Sequence, residues 1–394
     1  MTRPMRIAII ETAPYGGLLH YAVQLGDALA GRGHSVELLT SKGNELAERE
    51  HTARMRAILT PPVRSERVPT SRIVAHARRV LVAARLTRAW TRVNWEVARN
   101  RYDVVILNSS LHASLMVTAS LVVFVLPNRP RVAHIAHSPR VQRRVGKRLY
   151  GENPLLAILL RQLYTHCDVV FVLGEASLAQ LESQWPTSKG VIIPHGDERV
   201  FGGEPPPQTD EERILFFGDW TRIKGLPVLL AAFDELVARR ATARLTIAGN
   251  PHHVGTDLEG IRVWARGHGD RVTLIDRYVP IESVSDVFSS ARVVVTPYIA
   301  ANQSGVVHLA MTMARAVVAS DVGDLSSAVI AGETGLLVPP DDPSALAAAL
   351  ERVVSDGELA ARFGAAGRRR VMDHSGWETV AAEVEAALEQ VVGG

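Results

Sequence analysis

A small polar loop, Tyr298 to Gly305, has residue types that suit a phosphate ligand. The β-branched run Val293 to Val295 predicts a strand before it, and apolar residues at helical spacing from Val306 to Ala314 predict a helix behind it. In a parallel sheet built from such units, ligands bind beyond the carboxyl ends of the strands. The backbone N–H groups of Ser304 and Gly305 then face the ligand from a helix N-terminus, which favours a phosphate. A plain connection between two strands explains the same pattern without a ligand.

Gly16 and Gly17 form a second loop of this kind. They follow the predicted strand Arg6 to Ile10 and precede a predicted helix from Leu18 to Ala30. The glycine pair lets the backbone approach a ligand closely, although a tight turn has the same requirement.

Strands and helices alternate along the rest of the chain, and the polar, proline-rich segment Asp197 to Glu212 divides them into two series. The remaining strands of the first series are Val36 to Thr40, Val104 to Leu107, Val132 to Ile135, Val169 to Leu173 and Val191 to Pro194. Those of the second series are Ile214 to Phe217, Leu245 to Ala248, Val272 to Leu274, Val293 to Thr296, Val317 to Ala319 and Leu336 to Val338. We therefore predict an α/β fold with two Rossmann-like, doubly wound domains, residues 1–200 and 201–376, that face each other across a cleft.

Two segments depart from this alternation. Asn44 to Arg72 is polar and irregular, so we predict a loop excursion there. Trp377 to Val391 predicts an amphipathic helix, with Glu378, Glu383, Glu385 and Glu389 pointing away from its apolar stripe.

Composition limits the class of protein. With 394 residues, 47% hydrophobic and 22% charged, the chain is long enough for two domains with separate cores. The single cysteine, Cys167, excludes an internal disulfide and fits the reducing cytoplasm. The longest apolar run, Leu115 to Leu126, is shorter than the ~20 residues that a membrane span needs, and Met1 to Ile10 carries no export signal. No histidine, cysteine or carboxylate cluster has metal-ligand spacing, so no metal is expected.

Arginine is concentrated in one predicted helix, Arg72 to Arg101, where Trp90 and Trp95 are interleaved. Its basic residues are Arg72, Arg78, Arg79, Arg85, Arg88, Arg92, Arg99 and Arg101, and a second basic run contains Arg140, Arg143, Arg144, Lys147 and Arg148. A basic amphipathic face suits an anionic membrane surface, which predicts peripheral docking on the inner membrane face. A solvated arginine face on a core helix explains the pattern equally well.

Four stretches resemble the GT-B glycosyltransferases, and within them the retaining family-4 group that uses nucleotide-activated sugars. GGLLHYAVQLGDALAGRGHSVELLT is similar to the family's first loop, helix and second strand, and VIIPHGDERVFGG to the segment that enters the second domain. ILFFGDWTRIKGLPVLLAAF is similar to the donor-side strand, loop and helix. NQSGVVHLAMTMARAVVASDVG, with TGLLVPPDDPSALAAAL after it, resembles the donor-sugar motif in its variant with Gln303, Ser304 and Gly305. The four stretches stand in family order and cover nearly the whole chain.

The resemblance implies transfer of a sugar from a nucleoside-diphosphate sugar to a glycan, lipid-linked or small-molecule acceptor, as in polysaccharide or glycoconjugate biosynthesis. The nucleotide sugar is a co-substrate, and no cofactor, metal or nucleic acid is implied. The resemblance makes Lys224 the lysine that stabilises the departing diphosphate. The family often has an arginine after the glycine that matches Gly218, whereas this chain has Asp219, so Arg222 nearby is expected to supply that cation.

The resemblance also implies where the donor and the acceptor bind. The expected donor-binding residues are Gly16, Gly17, Gly218, Lys224, Gln303, Ser304, Gly305 and Val306. Of two histidines at the end of a first-domain strand, His134 and His137, the sequence IAHSPR favours His137 near the reacting carbon. No protein nucleophile or base is implied, because the departing phosphate takes the acceptor proton. The helix 377–392 is expected to pack back on the first domain.

The chain departs from the family at three acidic positions. Ala301, Leu309 and Ser327 stand where glutamates are common, and none can accept a charged hydrogen bond. The lost glutamate pair leaves two alternatives to transfer, a non-catalytic GT-B sensor or partner subunit and a sugar-nucleotide 2-epimerase. The epimerase would need acidic residues in the donor site.

Overall fold

The computed structural model describes residues 3–59, 72–108, 129–139, 143–145, 148–150, 163–186, 189–207, 211–251 and 257–393. They belong to two compact units, Met1–Pro194 with Trp377–Gly394, and His195–Gly376. The division falls between Pro194 and His195, whereas the boundary expected from the sequence lies after residue 200. Within the described residues, no helix is both long and apolar enough to cross a membrane.

The helices are numbered in chain order. They are α1 (Gly17–Gly31), α2 (Arg72–Asn100), α3 (Glu175–Gln184), α4 (Leu226–Arg239), α5 (Leu258–Gly267), α6 (Ile281–Ser289), α7 (Gly305–Thr312), α8 (Leu325–Ala328), α9 (Pro343–Val354), α10 (Gly357–His374) and α11 (Trp377–Gly393).

The first unit contains a parallel sheet of seven strands in the order β3-β2-β1-β4-β5-β8-β9. The strands are β1 (Arg6–Ile10), β2 (Ser35–Ser41), β3 (Arg54–Leu59), β4 (Val104–Leu107), β5 (Arg131–Ala136), β8 (Val169–Val172) and β9 (Gly190–Ile192). A separate antiparallel hairpin pairs β6 (Arg143–Val145) with β7 (Arg148–Tyr150). The apolar run Leu115 to Leu126 lies outside the described residues.

Strand β3 corrects the prediction of an irregular segment from Asn44 to Arg72. It pairs with β2 at the edge of the sheet. The sequence conceals this strand because two of its residues are arginines. Arg56 donates to Glu37 at 3.0 Å and to Glu96 at 2.9 Å, so two carboxylates make a charged residue acceptable at this edge.

The second unit contains a parallel sheet of six strands in the order β12-β11-β10-β13-β14-β15. The strands are β10 (Arg213–Phe217), β11 (Arg244–Ala248), β12 (Val272–Ile275), β13 (Val293–Thr296), β14 (Ala316–Ser320) and β15 (Gly335–Val338). Successive residues of β10 enter different cores, since Ile214 and Phe216 pack in one apolar cluster and Leu215 packs in the other. Both faces of the sheet are therefore covered, which confirms the predicted α/β class with two doubly wound sheets.

Arg315 fixes the segment that the sequence suggests is a linker. Its side chain is fully buried, and it donates to the carbonyls of Phe288 at 3.0 Å, Pro206 at 3.0 Å and Pro207 at 2.6 Å. Burial lowers the pKa of this guanidinium to about 10. The proline-rich segment through Pro207 thus belongs to the second unit and is held there by a buried cation.

The C-terminal helix α11 lies in the first unit, where it packs on α1 and against β5 and β8. Trp377 meets Tyr21 edge to face, with ring centroids 5.0 Å apart. The prediction that Glu385 points away from the apolar stripe is wrong, because its side chain is buried. Its carboxylate accepts a hydrogen bond from Arg32 Nε and lies 3.3 Å from His34 Nε2, so polar partners from the end of α1 compensate for its burial.

Replacing Glu385 with alanine should lower the free energy of unfolding by about 1–3 kcal/mol, because the change removes the acceptor of the Arg32 hydrogen bond and the carboxylate that faces the buried His34 ring. Glu383→Ala is the matched control, since Glu383 is exposed on the same helix. Urea unfolding followed by tryptophan fluorescence measures both variants. Equal unfolding midpoints for the two variants would contradict the anchoring role of Glu385.

Candidate functional site

The loop Tyr298 to Gly305 follows β13, and α7 begins at its end. The Ser304 amide donates to the side chain of Gln303 at 2.5 Å, and the Ser304 hydroxyl lies 3.2 Å from the hydroxyl of Tyr298. Among the described residues, no acceptor is found for the amides of Gly305 and Val306. These two N–H groups therefore form a helix N-terminus of the kind that binds anions.

Lys224 lies beside this loop. It ends a single 3-10 turn, Arg222–Lys224, between β10 and α4, and its Nζ stands 3.7 Å from the centroid of the Tyr298 ring. The ring face attracts the ammonium and holds it near the start of α7. Arg222 is exposed on the same turn, and no carboxylate in the described part of the chain forms an ion pair with it. One of the two predicted cations is thus fixed in place, and the other faces solvent.

Glycines let the two loops approach each other. Gly225 has φ 67°, and a Cβ there would lie 1.8 Å from the Pro297 carbonyl oxygen, so only glycine fits. Gly218 has φ 117°, and a Cβ there would lie 3.7 Å from a methyl group of Val306. The structure therefore brings together the predicted donor-binding residues of the second unit, which are Gly218, Lys224, Gln303, Ser304, Gly305 and Val306.

Two side chains near Gly305 were not predicted. A Cβ on Gly305 would lie 3.4 Å from Glu198 Oε1 and 3.6 Å from His195 Cε1, and both side chains are buried. His195 stacks on His308, with ring centroids 4.3 Å apart and an interplanar angle of 13°. Burial lowers the pKa of His195 to about 4, and burial together with the proximity of His195 and Arg370, which disfavours a second positive charge, lowers the pKa of His308. Both imidazoles are therefore neutral at pH 7.

The sequence signal for these residues is PHGDE, directly after a predicted strand. From the sequence, that stretch is expected only to lead into the second domain. Two residues that stand where family members commonly have glutamates contribute little to this site. Leu309 packs into an apolar core, and Ala301 packs against the same core.

In the first unit, Gly16 and Gly17 stand at the start of α1. Gly16 has φ 87°, which favours glycine, and its amide donates to Glu45 Oε1 at 2.6 Å. The same carboxylate oxygen lies 2.7 Å from His20 Nε2. A side chain of the chain itself thus accepts the hydrogen bond of the Gly16 amide, so this amide is already paired.

The two histidines of β5 and its following loop have different surroundings. His134 is fully buried, its Nδ1 lies 2.8 Å from the Leu107 carbonyl, and burial lowers its pKa to about 4. It is a core residue. His137 is half-buried, its Nε2 lies 3.0 Å from Asn108 Oδ1, and its ring meets Tyr21 edge to face at 4.7 Å.

Asn108 orients His137. The amide nitrogen of Asn108 donates to Glu11 Oε2 at 2.7 Å and to the Leu18 carbonyl at 2.8 Å, which leaves its oxygen as an acceptor. His137 therefore carries a proton on Nε2 and donates it to Asn108. Burial raises the pKa of Glu11, whose two oxygens accept from Asn108 and from the Ala13 amide. Neither Glu11 nor Asn108 was predicted, although each directly follows a predicted strand.

Within the described part of the chain, no group of three histidine, cysteine, aspartate or glutamate side chains could hold a metal ion. The candidate site of the second unit has two kinds of groups. At one end are the Lys224 ammonium and backbone amides, and at the other are a carboxylate and two imidazoles. Such an arrangement can bind a ligand with an anionic part and a neutral, hydrogen-bonding part.

Two family models match consecutive parts of the chain. The model described as Glycosyltransferase Family 4 matches residues 15–196, and the model described as Glycosyl transferases group 1 matches residues 211–356. The chain belongs to the group 1 glycosyltransferases. The matched ranges include the first-unit site around Gly16 and His137 and the second-unit site around Lys224 and Gly305.

Two relatives of this group 1 glycosyltransferase have names that contain inositol compounds. The D-inositol 3-phosphate glycosyltransferase of Corynebacterium diphtheriae is 28% identical over 99% of the chain and 94% of its own length. The phosphatidyl-myo-inositol mannosyltransferase of Mycolicibacterium smegmatis is 29% identical over 56% of the chain, and the chain spans only 58% of that relative's length.

Solved structures share the fold, which is GT-B. Sucrose-phosphate synthase from Thermosynechococcus elongatus has a TM-score of 0.78 and 23% identity, with 99% of each chain covered. Anabaena HepE in complex with UDP-glucose has a TM-score of 0.71 and 13% identity, with 98% of this chain and all of that chain covered. At these identities the likeness carries the fold, and the function rests on the site.

Proposed function

We propose that this group 1 glycosyltransferase moves a sugar from a nucleoside-diphosphate sugar to an acceptor hydroxyl, with retention of configuration. The observation that carries the proposal is the position of Lys224, whose ammonium lies on the Tyr298 ring beside the start of α7. A nucleoside diphosphate gains negative charge as it leaves the sugar, and a fixed cation with two unoccupied amides stabilises that charge. Arg222 adds a second cation from the same turn.

The proposed reaction needs no nucleophile from the protein. The bond between the anomeric carbon and the phosphate oxygen breaks, the acceptor oxygen bonds to that carbon on the same face, and the acceptor proton passes to the departing phosphate. The likeness to a structure that holds UDP-glucose supports a nucleotide-sugar donor.

The acceptor proposal starts from His137 in the first unit. Its imidazole is held by Asn108 at the carboxyl edge of the sheet, where a hydroxyl-bearing ligand would bind. The names of the two relatives, one acting on an inositol phosphate and one on phosphatidyl-myo-inositol, support a glycan, polyol or lipid-linked acceptor. We place the enzyme on the cytoplasmic side, where nucleotide sugars would be available to it.

Lys224→Ala should lower the transfer rate at least ~10²-fold, the effect expected when a charge-stabilising donor is removed. The melting temperature should change by only a few degrees, because a cation–π contact with a half-buried lysine contributes about 1 kcal/mol. Radiolabelled or coupled assays with each accepted UDP- or GDP-sugar measure the rate. Lys189→Ala, an exposed lysine of the first unit, is the control. Equal rates for the two variants would refute the role of Lys224, and a wild-type protein that binds nucleotide sugars without turnover would favour the sensor alternative.

We also propose that α2 docks on an anionic membrane. One face of this helix packs Trp90, Val93 and Val97 into the core. The outward face exposes Val80, Leu81 and Trp95 by 56%, 60% and 57%, and Arg88, Arg92 and Arg99 are exposed between and after them. Apolar groups next to cations suit an interface between anionic headgroups and acyl chains. The side chains of Arg78, Arg79, Arg85, Arg143 and Arg144 lie outside the described residues, as does Lys147.

Arg88→Glu with Arg92→Glu should weaken vesicle binding at least tenfold, since each basic residue near an anionic surface contributes about 1 kcal/mol. Co-sedimentation with phosphatidylcholine vesicles, with and without phosphatidylglycerol, measures the binding at two salt concentrations. Arg277→Glu, an exposed residue of the second unit, controls for charge change alone. Binding that is the same for neutral and anionic vesicles, or that salt does not weaken, would overturn the docking proposal.

A further inference from the structure

The first residues after three neighbouring strands of the first sheet are all polar. Glu11 follows β1, Asn108 follows β4 and His137 follows β5. Ile10 pairs with Leu107 in the parallel register, so the next residue of each strand stands beside the other at the carboxyl edge of the sheet. Ligands of open α/β sheets bind at this edge. Glu11 and Asn108 are both fully buried, so their polar atoms serve partners inside the protein.

Both carboxyl oxygens of Glu11 accept hydrogen bonds. Oε1 accepts from the Ala13 amide at 2.6 Å, and Oε2 accepts from the side-chain nitrogen of Asn108 at 2.7 Å. The Ala13 partner is a backbone amide, which can only donate, so one oxygen is always required there. The other oxygen is then the acceptor for Asn108. A glutamine at position 11 would present a nitrogen donor to one of these two donors.

The hydrogen bonds of Asn108 fix which end of its side-chain amide faces His137. The amide nitrogen donates to Glu11 and to the Leu18 carbonyl at 2.8 Å, which uses both of its hydrogens. The amide oxygen lies 3.0 Å from His137 Nε2. A reversed amide would place its oxygen against two acceptors. The proton of the neutral His137 ring is therefore on Nε2, and the lone pair is on Nδ1.

Aromatic packing holds the ring of His137 in this orientation. Tyr21 of α1 meets it edge to face, with ring centroids 4.7 Å apart and an interplanar angle of 88°. Trp377 of α11 in turn packs on Tyr21 edge to face at 5.0 Å, and both of these side chains are buried. A ring packed in this way resists turning over. A change in the Asn108 amide would therefore change which ring nitrogen carries the proton.

We propose that Glu11 is a positioning residue for the acceptor site, because through Asn108 it holds His137 in the tautomer with the proton on Nε2. This inference rests on the proposed function, which places His137 beside the acceptor hydroxyl. The tautomer decides which ring nitrogen donates a hydrogen bond and which accepts one. Glu11 acts through Asn108 and does not itself contact the substrate.

The tautomer of His137 is measured by NMR. Two-bond proton–nitrogen correlations in protein with isotope-labelled histidine distinguish a protonated ring nitrogen from one with a lone pair. Spectra are recorded at about pH 8, where an ordinary histidine is neutral, and His137→Gln identifies the signal. We expect the wild-type ring to be protonated on Nε2. Glu11→Gln should raise the ratio of the Nδ1-protonated form to the Nε2-protonated form at least ~tenfold, because its amide nitrogen opposes that of Asn108.

Two further variants sharpen the NMR test. Glu37→Gln is the matched control, since Glu37 is a carboxylate of the same unit that accepts from Arg56 and Tyr102. It should leave the tautomer ratio of His137 unchanged. Glu11→Ala removes the acceptor without adding a donor and should shift the ratio in the same direction as Glu11→Gln, which keeps the test open if that variant does not fold. A wild-type ring protonated on Nδ1, or a ratio that neither Glu11 variant moves, overturns the inference.

Turnover of UDP-glucose and GDP-mannose, with myo-inositol as the acceptor probe, tests the role in the reaction. Glu11→Gln should lower the rate at least ~tenfold, the scale of loss when a reacting group is misplaced. The dissociation constants of UDP and GDP should stay unchanged, whereas Lys224→Ala should raise them. A shifted tautomer with unchanged turnover overturns the acceptor-site role of Glu11 alone. A wild-type protein that neither binds nor turns over these donors overturns the proposed function, while the tautomer ratio still decides whether Glu11 controls His137.

Discussion

Two loops of the second unit touch backbone to backbone, and the geometry of the candidate site depends on that contact. Gly225 adopts a left-handed conformation against the Pro297 carbonyl, and the Ile299 amide donates to the Ile223 carbonyl at 2.9 Å. This contact places the turn that contains Lys224 against the ring of Tyr298. The Tyr298 hydroxyl then reaches Ser304, the residue before α7. Any side chain at position 225 would separate the loops and move the ammonium away from the helix start, so one glycine couples the cation to the anion-binding amides.

The same helix start separates two kinds of chemistry. On one side are a lysine and unoccupied amides, which suit a diphosphate, and on the other are a carboxylate and two imidazoles that burial keeps neutral. Had these histidines been protonated, positive charge would stand at both ends of the site. Because the pKa values of both histidines are low, the positive charge is confined to the Lys224 end of the site. A ligand with a charged end and a hydroxyl-bearing end then fits in one orientation.

Much of this could be predicted from the sequence, for physical reasons that differ between elements. Most central strands are short runs of apolar residues, as expected where both faces of a parallel sheet are buried, and the loops that contain Gly218 and Ser304 come after two of those strands. Strand β3 escaped prediction because its arginines are neutralised by Glu37 and Glu96, which are distant in sequence. Glu385 was predicted to point away from the apolar stripe because helical periodicity does not show its partners His34 and Arg32, which are distant in sequence. Glu198 and His195 could not be found because they reach Gly305 from a segment separated from it by some hundred residues, and only the folded chain brings them together.

We propose above all that the second unit binds the diphosphate of a nucleotide sugar. Thermal unfolding of the wild-type protein with UDP or GDP, compared with uridine or guanosine, tests it most directly. A ligand present at 100 times its dissociation constant stabilises the folded protein by about 2.7 kcal/mol. We expect one nucleoside diphosphate to raise the melting temperature by several degrees, and its nucleoside to leave it unchanged. An unchanged melting temperature with both diphosphates, or an equal rise with the matching nucleoside, would contradict it.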